Sequence, residues 1–90
     1  MAKEKDLRKH KVVERIQAGV RIEKRILKVL KGFAAYHEIT VGDLIEGICL
    51  HAFEGKTPFN KKNLEKIIEI KRVYGLKLTA ADSHQLIEEE

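Results

Sequence analysis

The sequence predicts a mostly α-helical chain with one short strand ahead of its helices. Three observations carry that expectation. Apolar residues alternate with polar or small ones from Ile16 to Ile22, the period of a strand with one buried face. Later stretches repeat apolar residues at spacings of three and four, the period of an amphipathic helix. Helix-start residues (Thr40, Asn60, Thr79) open these stretches, and Gly55 and Gly75 close two of them.

Taken in order, residues 1–11 are polar and basic with one large apolar residue, Leu7, and are read as a mobile arm. In the strand, Ile16, Ala18, Val20 and Ile22 share one side, and Gln17, Gly19 and Arg21 the other. A helix continued from Val12 would place Glu23 and Lys24 on its apolar stripe, so the phase breaks before the next element. Helix A is predicted from about Glu23 to His37. Ile26, Leu27, Leu30, Phe33, Ala34 and His37 form its face, and Lys24, Arg25, Lys28 and Lys31 lie opposite. Thr40 and Asp43 form a capping box for helix B, whose face is Leu44, Ile45, Ile48, Cys49, Ala52 and Phe53. Gly47 in mid-helix costs roughly 1 kcal/mol relative to alanine, which a close helix–helix approach would offset. Asn60 caps a third helix to about Tyr74, with Phe59 and Leu64 as a hydrophobic staple. Thr79 and Asp82 form a second capping box, opening a short last helix through Leu86 and Ile87.

Ninety residues make a thin core, which disulfides, a metal or oligomerisation usually supplement. A lone cysteine, Cys49, excludes an internal disulfide and fits a reducing, cytoplasmic setting. Neither a signal peptide nor a membrane span is expected. The net charge of +4 is divided: residues 1–31 carry eleven Lys and Arg against four acids, and residues 32–90 carry seven against ten. A basic end on a slightly acidic body suits a polyanionic partner.

The order strand, helix, tight turn, helix within residues 16–54 resembles the ribbon-helix-helix family of DNA-binding regulators, of the Arc and methionine-repressor type. The likeness lies in Val20-Arg21-Ile22 running into Glu23-Lys24-Arg25-Ile26-Leu27, in Leu30, Phe33 and Ala34, and in Thr40-Val41-Gly42-Asp43-Leu44-Ile45. It implies a homodimer whose strands pair antiparallel as a two-stranded ribbon over a four-helix core, with extra C-terminal helices. In that arrangement residues 12–55 are the dimerisation and DNA-binding core, and 56–90 a helical extension. The resemblance places Gln17, Gly19 and Arg21 against base edges in the major groove of double-stranded DNA. Thr40, Val41 and Gly42 would meet a phosphate at a helix N-terminus, joined by Lys24, Arg25, Arg15 and Lys11. Ile16, Ala18, Val20, Ile22, Leu30, Phe33, Leu44, Ile45, Ile48 and Phe53 would build the dimer core.

The function so implied is a sequence-specific transcription regulator, a repressor or antitoxin-like protein, needing no cofactor. The alternative is a dimerisation or adaptor module that meets a protein partner through residues 56–90. Gly19, Val41 and the acidic tail favour it. Catalysis and metal binding are not expected. Cys49 and His51 point to different helix faces, His10, His37 and His84 are scattered, and consecutive Asp82-Ser83-His84 cannot converge as a triad.

Overall fold

The computed structural model of the chain describes residues 10–89. It contains α1 (Lys24–Tyr36), α2 (Val41–Phe53), α3 (Lys61–Tyr74) and a 3-10 turn at Ala80–Asp82. The expected arm falls mostly outside the described residues.

All three α-helices start on a side-chain cap. The Glu23 carboxylate accepts the N–H of Ile26 at 2.8 Å, Thr40 Oγ1 that of Asp43 at 3.0 Å, and Asn60 Oδ1 that of Asn63 at 2.8 Å. Each bond satisfies a donor with no partner inside its own helix. Helix α3 stops on Gly75, whose φ of 68° is left-handed, and the N–H of Leu76 returns to the Lys71 carbonyl at 2.9 Å. Helix α1 ends without glycine: Glu38 adopts φ 56°, and the N–H of Ile39 bonds the Ala34 carbonyl at 3.0 Å. That turn sends the chain from α1 into α2 within four residues.

Helix α1 is the hub. It packs against both α2 and α3, which share no backbone contact of their own. The buried cluster is Phe33, Ala34 and Leu44, with Leu30, Val41, Ile48, Phe59, Ile67 and Ile70 packed on it. Phe59 meets Phe33 edge to face at 5.4 Å. It thus serves the core, while its expected staple partner Leu64 is exposed. Val29, outside the face expected for α1, is buried as well. Close approach occurs at Gly32, where a Cβ would stand 3.2 Å from Ile70 Cγ2 and 3.4 Å from the Tyr74 ring. Gly47, expected to permit such an approach, has open space around it within this chain.

Two expectations are corrected. No strand exists among the described residues: 10–23 run as irregular backbone up to the first residue of α1, and Val12, Ile16 and Val20 are exposed. The two-stranded ribbon is therefore absent, and with it the ribbon-helix-helix identification and the strand-containing fold class. The alternation of 16–22 is real as a pattern. A strand, however, needs a neighbouring edge with free N–H and C=O groups, and in this chain the regular elements are helices that use theirs internally. The last helix is also shorter than expected, a single 3-10 turn in which the Thr79 N–H donates to Asp82 Oδ2 at 2.9 Å.

Phe33→Ala should cost about 3–5 kcal/mol, measured by urea unfolding, because it empties the centre of the one shared cluster. Gly32→Val should also destabilise, by crowding Ile70 and Tyr74. Gly47→Ala should stabilise by up to ~1 kcal/mol, since it gains helix propensity and meets no neighbour.

Candidate nucleic-acid interface

The basic side of α1 remains in solvent because α2 and α3 cover the rest of the helix. Lys24, Lys28 and Lys31 follow at spacings of four and three, a ridge roughly 10 Å long at 1.5 Å per residue. Near the start of this ridge, Lys24, Arg25 and Lys28 join Glu23, Val73 and Tyr74 in lining an open cleft of about 380 Å³. Helix α3 runs antiparallel to α1, so its last turn forms the opposite wall. The Gly32 approach seats Tyr74 there.

Among the described residues, Lys24, Arg25 and Lys28 have no ion-pair partner. The carboxylate in their midst, Glu23, is occupied by the cap. Its hydrogen bonds to the N–H groups of Ile26 and Arg25, with the Arg25 charge, hold it below the usual carboxylate range. The cleft therefore offers three cations and the Tyr74 phenol to an anionic group.

The other expected contacts are placed differently. Gln17, Gly19 and Arg21 lie on exposed irregular backbone, with no groove-filling element beneath them. The Arg21 guanidinium is taken by Glu88 near the C-terminus. Arg15 makes a two-pronged ion pair with Glu46 of α2, both bonds at 2.8 Å. Those hydrogen bonds, reinforced by charge, lower Glu46 and raise Arg15 from their ordinary values. Thr40, Val41 and Gly42 do open a helix, but the Thr40 hydroxyl is spent on the cap, Val41 packs on the core, and Asp43 and Glu46 make that end acidic. Lys11 is exposed.

Of the expected dimer-core residues, Phe33 and Leu44 are buried within the chain, and Leu30 and Ile48 pack on the same cluster. Ile16, Ala18, Val20, Ile22, Ile45 and Phe53 are exposed. Sequence reasoning missed Lys28 and Tyr74 as cleft partners. Lys28 is visible in the sequence on the basic face of α1, whereas Tyr74 lies 46 residues away and no spacing rule joins them.

Elsewhere, His37 Nε2 meets Asn63 Oδ1 at 3.0 Å and Lys66 lies over the Tyr36 ring at 4.5 Å, tying the end of α1 to the start of α3. No three His, Cys, Asp or Glu side chains gather as a metal site among the described residues, and no helix there is long and apolar enough to cross a membrane. No protein-family model, curated protein or solved structure matches the chain.

Glu23 and Glu46 are both held below their ordinary range, so both add stability above that range. Their contribution is lost as pH falls through their lowered folded-state values. Urea midpoints should be level near neutrality and decline on the acid side of the ordinary glutamate range, less steeply in Glu46→Gln. The same variant should speed tryptic cleavage after Arg15 while leaving the helical circular dichroism unchanged.

Proposed function

We propose that this protein is a non-catalytic DNA-binding regulator that grips the phosphate backbone with the basic ridge and cleft of α1. The single observation that carries this reading is the cluster of Lys24, Arg25 and Lys28, exposed, without an ion-pair partner among the described residues, and gathered in a cleft beside Tyr74. Here the nearest carboxylate is committed to a helix cap. A ridge of this length can meet neighbouring phosphates of one strand. Such contacts fix position and supply affinity without reading sequence. Base reading by Gln17 and Arg21 is not part of the proposal, because the ribbon that would carry them is missing.

A second reading is an adaptor that docks a protein partner through residues 56–90. Val73 and Ile87, large apolar side chains left exposed in that region, favour it.

Fluorescence anisotropy with a random-sequence duplex separates the two. The DNA reading requires binding at about 50 mM salt that weakens steeply as salt rises. The double variant Lys24→Glu, Lys28→Glu should reduce the salt slope by about 2, one unit for each phosphate that is no longer neutralised. No binding at low salt, or an unchanged slope in the variant, would overturn the DNA reading and leave the adaptor.

A further inference from the structure

Helix α2 carries two apolar faces, and the chain uses one of them. Val41, Leu44 and Ile48 turn inward onto the core. On the opposite side lie Gly42, Glu46, Cys49, Leu50 and Phe53, at spacings of four, three, one and three, so they form a second stripe. Leu50 is 65% exposed and Phe53 81%. Glu46, within that stripe, is the residue to which Arg15 is tethered. The tether lays the leading segment beside the outward face of α2, and that segment is uncovered too: Val12, Ile16 and Val20 are 102%, 82% and 79% exposed. The two apolar sets are joined at the Arg15–Glu46 pair.

We propose that this surface, the outward stripe of α2 with residues 12–20, is an interface between two copies of the chain. Area supports it. Val12, Val13, Ile16, Val20, Leu50 and Phe53 at on the order of 100 Å² each approach the ~800 Å² per partner of a standard interface. Charge supports it as well. Helix α2 holds Asp43 and Glu46 and no Lys or Arg, while residues 10–25 hold five cations against two acids. Arg15 and Glu46 pair these two stretches within one copy. With Arg15 and Glu46 satisfied within each copy, a twofold axis can set the remaining cations of one leading segment toward Asp43 of the other copy, the self-complementarity that an isologous contact needs.

The occupant is a second copy and not an occasional partner because the burial is needed for the chain's own stability. Only Val29, Phe33, Ala34 and Leu44 are buried hydrophobics among the described residues, and the lone cysteine excludes an internal disulfide. A second copy is present wherever the first is.

Sedimentation equilibrium of the full chain without nucleic acid tests this. The expected mass is about 21 kDa, twice the 10.3 kDa of one chain, with a Tm that rises with protein concentration. A mass of 10.3 kDa at every concentration with a constant Tm would overturn the proposal. Leu50→Glu with Phe53→Glu should weaken self-association by at least ~100-fold, whereas Ile68→Glu, at an exposed apolar position of α3, should leave it intact. Unfolding of the double variant where Ile68→Glu stays folded also supports the interface, since within one chain both side chains face solvent. A double variant that remains dimeric overturns the site. Lys24→Glu with Lys28→Glu should stay dimeric, so loss of DNA binding with the dimer intact counts against the nucleic-acid reading alone.

Discussion

The packing of Phe33 and Ala34 on α1 against Leu44 of α2 and Phe59 ahead of α3 is the contact on which the rest depends. Because α2 and α3 have no backbone contact of their own, each is held by its grip on α1. The Gly32 approach draws α3 close enough for Tyr74 to reach the helix, and that places a wall across from Lys24 and Lys28. The basic cleft is therefore a product of the same seam that makes the core. It lies at the end where the first turn of α1 meets the last turn of α3.

Charge placement follows a related logic. Among the described residues the ion pairs are Arg15 with Glu46, Arg21 with Glu88, Lys66 with Glu69 within α3, and Lys56 with Glu54 in the turn after α2. These pairs are exposed, and exposed pairs contribute little to stability. Their effect is positional. The first keeps a segment without regular structure beside α2, and the second brings the acidic C-terminal stretch to the basic leading segment. Lys24, Arg25 and Lys28 of α1 are among the cations that no carboxylate pairs within the described residues.

Much of the helical framework is legible in the sequence because its causes are local. Thr40 and Asn60 announce their helices through a bond to a backbone N–H three residues on, and Gly75 ends α3 through its own left-handed conformation. The inward face of α2 is legible in Leu44 and Ile48. Its outward face merges with the inward one in the sequence, because spacing alone does not tell how much of a helix its neighbours can cover. The expected strand fails for a different reason. Alternation from Ile16 to Ile22 states which side chains would share a face, and a strand is made by the hydrogen bonds of a second edge that this chain does not supply.

The sequence by itself determined where α1, α2 and α3 begin and end, the basic character of the exposed side of α1, and the thinness of the core. These depend on residues within a turn or two of one another, or on composition. Tertiary structure alone decided that Gly32 and not Gly47 is the point of close approach, that Tyr74 faces Lys28, and that Arg15 and Arg21 are taken by carboxylates 31 and 67 residues away. Each of these rests on which helix lies against which, and that is set by the mutual fit of Phe33, Leu44, Phe59 and Ile70, a property of no single stretch of the chain.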